Sequence, residues 1–146
     1  MPKCYLLTLC SGSSLDQHSN NVTLFNLVEQ INLKPGSQPP PQTLIPVELH
    51  AYFRLSPQEV GHEFEIRFAL VALESGLESY SDVFVHRSAT PRYRTRTLGL
   101  PLPPASGGYE LVLDWRLRGS ETWQREPLSW PILVGTAELP GPRVTH

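Results

Sequence analysis

Three arginines at alternate positions are the residues of this chain whose type and spacing best fit a chemical role. Arg92, Arg94 and Arg96 lie in the segment RYRTRTL and are called the arginine row below. If this segment is a β-strand, the three guanidinium groups lie along about 13 Å of one strand face. Guanidinium groups bind phosphate and carboxylate through paired hydrogen bonds, so the row predicts an anion-binding site. His86 and Arg87 lie just upstream and extend this predicted site.

A structural interpretation of the arginine row stays open beside the chemical one. Edge strands commonly carry charged side chains, because charge deters pairing with the edge of another sheet. The chain has a formal net charge of −2, so the arginines do not belong to a generally basic surface. Without a basic surface, we expect neither a nucleic acid nor an acidic membrane surface as a partner.

The remaining reactive residues form no motif that predicts catalysis or a metal centre. The histidines belong to no HxxH or HExxH motif, and the serines form no GxSxG motif. Glu63 and Glu65 share a strand face about 7 Å apart, which a glycosidase pair accepts, but surface ion pairing explains them better. We therefore expect no metal, no cofactor and no enzymatic activity. A hydrolase whose site forms only in the folded protein is the weakest alternative.

The two cysteines predict a reduced protein. On a single strand over residues 3–10, Cys4 and Cys10 lie about 20 Å apart, which is too far for a disulfide. Their even spacing places both on the same strand face, and free cysteine is commonly buried as a small hydrophobic residue. Reduced thiols predict a cytoplasmic location. No window approaches the 18 or more apolar residues that a membrane-spanning helix needs.

The strongest structural pattern is strict alternation of apolar and polar residues over 47–55 and 62–70. Such alternation is typical of strands with one buried face and one solvated face, which places His50 on the solvated face. The short connection predicts a β-hairpin in which Phe53 opposes Phe64. In this register the inner face carries apolar pairs. The outer face carries mostly pairs of opposite charge, such as Arg54 opposite Glu63.

The whole chain predicts one all-β domain. The 15 prolines, mostly in clusters, favour loops between strands and oppose a helix bundle. About eight strands predict a two-sheet antiparallel β-sandwich with immunoglobulin-like, Greek-key connections over residues 1–135, followed by a flexible tail over 136–146. The proline-rich stretch 32–43 is either a crossing between the sheets or a polyproline II segment for an aromatic-lined groove. The other predicted strands cover residues 3–10, 22–31, 81–87, 92–98, 107–118 and 128–134.

Three parts of the sequence carry a family resemblance. They are the Cys10 strand with the polar loop after it, the TLFNL run at 23–27, and the Gly108-Tyr109 strand preceded by Pro103-Pro104. Together they resemble a group of short bacterial proteins of unknown function. The resemblance implies a small β-sandwich with no established activity, and it carries over no catalytic residue. The segment around the arginine row has no counterpart in that group.

The sequence therefore predicts a binding function and leaves alternatives open. The leading hypothesis is a non-enzymatic module that binds a protein partner or forms a homo-oligomer through a sheet face or edge. The alternative is a module that binds a small anionic ligand at the arginine row. Fold class alone does not separate these, because sandwiches carry many functions.

Overall fold

The protein is an all-β sandwich, as predicted. The computed structural model describes residues 2–33, 43–103 and 105–136, and these contain no helix. They form ten strands, two more than predicted, because the chain between residues 22 and 31 splits in two and a short strand forms at Glu78–Tyr80. The strands are β1 (Lys3–Leu15), β2 (Val22–Leu27), β3 (Gln30–Leu33), β4 (Leu44–Arg54), β5 (Glu63–Ala72), β6 (Glu78–Tyr80), β7 (Phe84–Arg87), β8 (Arg92–Pro101), β9 (Gly107–Leu117) and β10 (Gln124–Thr136).

The strands form two sheets, and the chain crosses repeatedly between them. The four-stranded sheet has the order β2-β1-β4-β8, and the six-stranded sheet has the order β3-β10-β9-β5-β6 with β7 also paired to β5. All described pairs are antiparallel except β3 with β10, which run parallel. The predicted polyproline segment and tail fall mostly on residues 34–42 and 137–146, which lie outside the described residues. No helix of the described residues is long and apolar enough to cross a membrane.

The core lies between the two sheets and is filled by side chains from both. Burying a large apolar side chain stabilises the fold by about 1.5–3 kcal/mol, so these residues hold the sheets together. Trp115 also belongs to the core. The largest fully buried apolar side chains are Phe53, Phe64, Phe68, Leu9, Leu49, Ile66, Leu111 and Leu113.

The predicted hairpin between residues 47–55 and 62–70 is wrong. These segments are β4 and β5, which lie in different sheets. Phe53 and Phe64 do meet, with ring centroids 5.5 Å apart, but they meet across the core rather than on paired strands. Alternation shows which side of a strand faces the core, and a sandwich core has strands on both of its sides. The turn between the two strands is therefore a crossing between sheets.

The predicted strand over residues 22–31 is broken at its middle. Asn26 adopts a left-handed backbone conformation with φ of 54°, which asparagine tolerates better than most residues. The chain then leaves the four-stranded sheet at Leu27 and joins the six-stranded sheet at Gln30. Strand β1 continues to Leu15, through part of the predicted polar loop, so β1 and β2 form a long hairpin.

The two cysteines are free and buried, as predicted, but they do not share a face. The pairing of β1 with β4 shifts by one residue between Cys4 and Leu6, which is a β-bulge. A bulge reverses the alternation beyond it, so Cys4 packs in the core while Cys10 points to the outer face of the four-stranded sheet.

Candidate functional site

The arginine row lies on β8, which is one of the two edge strands of the four-stranded sheet among the described residues. Its members stand directly opposite outward-facing residues of β4, with Arg96 beside His50 and Arg94 beside Tyr52. All three arginines are exposed on the outer face of this sheet. Their surroundings differ, however, so the row does not act as three equivalent cations.

Arg96 forms an ion pair with Glu48 within the sheet. Its Nε donates to Glu48 Oε1 and its Nη2 donates to Glu48 Oε2, both over 2.9 Å. Glu48 is buried and also accepts hydrogen bonds from Ser13 Oγ at 2.7 Å and His50 Nε2 at 2.9 Å. The Arg96 hydrogen bonds are the main cause that lowers the pKa of Glu48 to about 2. Arg96 therefore stabilises a structural carboxylate and is not available as a free anion site.

Arg94 is held in place but keeps an exposed charge. Its Nη1 donates to the carbonyl oxygen of Asn20 over 2.8 Å, and its guanidinium carbon lies 5.5 Å from the centre of the Tyr52 ring. Asn20 belongs to the turn between β1 and β2, so this hydrogen bond ties the turn to the outer face of the sheet. The contacts orient the guanidinium group without neutralising it.

Arg92 stands in a line of three cations across the sheet. Lys3 on β1 is the direct partner of Arg54 on β4, and Arg54 is the direct partner of Arg92 on β8. Direct partners on antiparallel strands point to the same side, and all three residues are exposed. None of the ion pairs among the described residues involves any of them. Together with Arg94 they are called the basic corner.

The basic corner adjoins an open cleft of about 540 Å³. Arg92 and Arg94 line one part of this cleft, and Asn20, Thr90 and Pro91 line the rest. Two arginines therefore line the same space as an asparagine and a threonine. The two arginines give this cleft the chemistry to bind an anionic group at the surface.

His86 and Arg87 do not extend the arginine row. Both lie on β7, which belongs to the six-stranded sheet. Arg87 stands opposite Glu63 on that sheet. His86 Nδ1 lies 2.9 Å from the hydroxyl oxygen of Tyr93, while its Nε2 atom is buried and has no hydrogen-bond partner among the described residues. Burial lowers the pKa of His86. His86 and Arg87 are close to the arginine row in the sequence, but in the fold they lie on the other sheet.

A second group of reactive side chains lies beside Arg96 on the same outer face. Cys10, Glu48 and His50 each offer a metal-ligating atom, and these atoms all lie within 4.8 Å of one another. We call them the thiol–imidazole cluster. His50 was predicted to be solvated, but it is only 3% exposed because it stands between Thr8 and Arg96 on the neighbouring strands. Thr8 is also buried, and its Oγ1 atom has no hydrogen-bond partner among the described residues.

The outer face of the six-stranded sheet is an ion-pair ladder. Glu63 pairs with Arg118 and Glu65 with Arg116, at 2.5 Å in each case. The two glutamates are therefore partnered by arginine, as surface pairing predicted. Arg116 lies on β9 and Arg118 directly follows that strand, so neither partner comes from β4. The ladder also includes ion pairs of Arg67 with Asp114 and of Arg125 with Asp114 and Glu78, and the Trp123 ring lies against Arg67 and Arg116.

Sequence reasoning missed Lys3 and Arg54 as members of the basic corner, and it missed the thiol–imidazole cluster. Both groups come together only through the register of β1 with β4, which pairs residues far apart in the sequence. Lys3 and Arg54 are far apart in the sequence and form no motif. The signal for Arg54 was its place among the polar, outward-facing residues of the alternating run. Comparison with models of known protein families and with curated proteins finds no match to this chain.

Proposed function

We propose that this chain is a non-enzymatic binding module whose basic corner binds a carboxylate-rich segment of a partner protein. The observation that carries the proposal is the line of Lys3, Arg54 and Arg92, three cations on directly paired positions that form no ion pair among the described residues. Lys3 also interacts electrostatically with the Glu126 carboxylate. Adjacent strands lie about 4.8 Å apart, so these charges stand within about 10 Å of one another. Like charges directly opposite one another destabilise a sheet, and a bound anion removes that repulsion.

The contrast with the rest of the surface supports a binding role. The arginines on the outer face of the six-stranded sheet are paired with carboxylates of the same sheet, except Arg87. In the basic corner, by contrast, three of the four cations form no ion pair with any residue that the structure describes. The chain is acidic overall, so the corner is a local concentration of positive charge. Such a patch steers an oppositely charged partner during association and fixes its orientation.

The shape of the corner favours a protein partner over a small anion. Small-ligand sites bury most of their ligand in a concave pocket. The charges here stand on the exposed side of a sheet, beside a cleft that is open to solvent, and they span three strands. A segment with several carboxylates contacts all of them at once. Self-pairing of the β8 edge is disfavoured, because it brings the arginine rows of two copies together.

A labelled glutamate-rich peptide, titrated with the purified chain and followed by fluorescence anisotropy, tests the proposal. We expect binding that weakens with added salt, and a loss of about twofold to fivefold in affinity for Arg92→Gln or Arg54→Gln. Arg87→Gln is the matched control, because it removes an exposed arginine from the other sheet. The proposal fails if Arg87→Gln weakens binding as much as Arg92→Gln does.

Three further measurements separate the alternatives. Inorganic phosphate that displaces the peptide at low concentration would overturn the protein partner in favour of a small-anion site. Tighter binding of a single-stranded oligonucleotide than of the peptide would also overturn it. Light scattering of the purified chain is expected to give the monomer mass of 16.4 kDa. A dimer that dissociates in Arg54→Gln would instead identify the corner as a self-association surface.

A further inference from the structure

We propose that the thiol–imidazole cluster is a zinc site, formed by the Cys10 thiolate, a nitrogen of His50 and a carboxylate oxygen of Glu48. The three side chains lie on the outer face of the four-stranded sheet, within one compact block of β1 and β4. Thiolate, imidazole and carboxylate are the three side-chain types that bind zinc in proteins. This site is independent of the basic corner and of any partner that binds there.

The register of the two strands explains why the ligands converge. Cys10 is the direct partner of Glu48, and Thr8 is the direct partner of His50. The four side chains therefore occupy the corners of a two-by-two block on one face, with about 5 Å across the strands and about 7 Å along them. This spacing brings the three ligating atoms within 4.8 Å of one another. Zinc bonds of about 2.0–2.3 Å then require only small side-chain movements.

The unsatisfied hydroxyl of Thr8 is a second, independent feature of the block. Thr8 is only 2% exposed, and its Oγ1 atom has no hydrogen-bond partner among the described residues. A buried hydroxyl without a partner destabilises the fold, because it has lost its hydrogen bonds to water and gained no others. It stands on the same face as the ligands and next to them. A water molecule enclosed in the block that completes the tetrahedral coordination of the zinc would provide the missing hydrogen-bond partner.

The charges of the block permit a divalent cation. Glu48 already accepts four hydrogen bonds, two of them from Arg96, which fills the usual capacity of a carboxylate. Zinc would replace the hydrogen bond from His50 and leave the Arg96 pair intact. Binding releases the thiol proton of Cys10 to solvent, and the new thiolate supplies a second negative charge beside Glu48. Zinc affinity is therefore expected to rise with pH.

The burial of the cluster indicates a structural role rather than a catalytic one. Cys10 is fully buried and His50 almost so, which leaves no surface on which a substrate could meet a bound metal. The Cys10 thiol donates a hydrogen bond to the Gly12 carbonyl oxygen over 3.3 Å. Ser13, on the same strand as Cys10, donates a hydrogen bond from its hydroxyl group to the Glu48 carboxylate on β4. A zinc ion here would link β1 to β4 and hold the start of the β1–β2 hairpin to the sheet.

Titration of the purified, metal-free chain with Co²⁺, followed by displacement with Zn²⁺, tests the site. We expect a thiolate-to-cobalt charge-transfer band that saturates at one ion per chain and disappears on adding Zn²⁺. Cys10→Ser should abolish the band, while Cys4→Ala, which removes the other buried thiol, should retain it. His50→Gln and Thr8→Val should each weaken Zn²⁺ binding by about 10–100-fold.

A thermal unfolding measurement keeps the test decisive if a variant is poorly folded. Zn²⁺ should raise the unfolding temperature of the wild-type chain and leave that of Cys10→Ser unchanged. The absence of a charge-transfer band in the wild-type chain, together with no thermal shift, would overturn the site. A band that survives in Cys10→Ser and is lost in Cys4→Ala would also overturn it, because the metal would then bind elsewhere.

Discussion

The guanidinium group of Arg96 donates two hydrogen bonds to the carboxylate of Glu48, each 2.9 Å long, across the paired strands β8 and β4. This bidentate pair joins the edge strand to its neighbour on the outer face of the sheet. It also divides the arginine row into one structural member and two that face the cleft at the basic corner. A row that looks uniform in the sequence therefore has two roles in the fold.

The Glu48 pair predicts a specific loss of stability in acid. The pKa of Glu48 is lowered from 4.5 to about 2 in the folded chain, mainly by the Arg96 hydrogen bonds. Its contribution is therefore present above the unfolded pKa and is lost as the pH falls towards 2. Glu48→Gln should destabilise the neutral protein by about 1–3 kcal/mol, and it should lose less stability in acid than the wild type does. Urea unfolding across this pH range measures both effects, and parallel pH profiles would contradict the prediction.

His86 predicts a second acid-sensitive step, at higher pH. Burial lowers its pKa below the ordinary value of 6.5, because a protonated imidazole is poorly solvated between the rings of Phe64 and Tyr93. The contribution of neutral His86 to the free energy of unfolding is therefore fully present above pH 6.5, and it is lost as the pH falls through the lowered pKa. His86→Gln should remove this part of the pH dependence. Urea unfolding at a series of pH values below 6.5 checks this, and a His86→Gln profile that runs parallel to the wild-type profile would contradict the prediction.

Local patterning predicted the fold class but not the strand partners. The alternation of β4 and β5 placed Phe53 and Phe64 in the core, where both lie. It could not show that the two rings meet across the core, because a side chain that points inward has the same pattern in a hairpin and in a sandwich. The bulge between Cys4 and Leu6 carries no local signal, yet it decides which face of β1 bears Cys10.

The candidate site was less predictable than the fold for a related reason. The arginine row is visible because its members are close in sequence. The basic corner and the thiol–imidazole cluster depend on the register of β1 against β4, which pairs Lys3 with Arg54 and Cys10 with Glu48. Register is determined by the whole set of core contacts, and a shift of one residue would place all of these side chains on the other face.

Gly99, on β8, is expected not to tolerate a side chain. Its φ of +87° is unfavourable for other residues, and an added Cβ would lie 3.3 Å from Leu44 Cδ1. Gly99→Ala should therefore lower the free energy of unfolding by about 1–3 kcal/mol, because both the backbone strain and the contact act against folding. Gly12→Ala is the matched control: an added Cβ there meets nothing within 4 Å. Its effect should stay within about 0.5 kcal/mol in urea unfolding.

The basic corner predicts that one substitution improves stability while it weakens binding. Arg54 stands between Lys3 and Arg92 on directly paired positions, so it is repelled from both sides. Arg54→Gln should raise the free energy of unfolding by about 0.2–1 kcal/mol at low ionic strength. The gain should shrink as salt is added, because salt screens exposed charges.

Arg118→Gln provides the contrast for this prediction, since Arg118 is paired with Glu63 and its loss removes an attraction. It should leave stability unchanged or lower it slightly under the same conditions. Urea unfolding of both variants at low and high salt checks the difference. A destabilised Arg54→Gln would show that a group other than the partner carboxylate already compensates the three cations, and it would remove the reason to expect an anion at this corner.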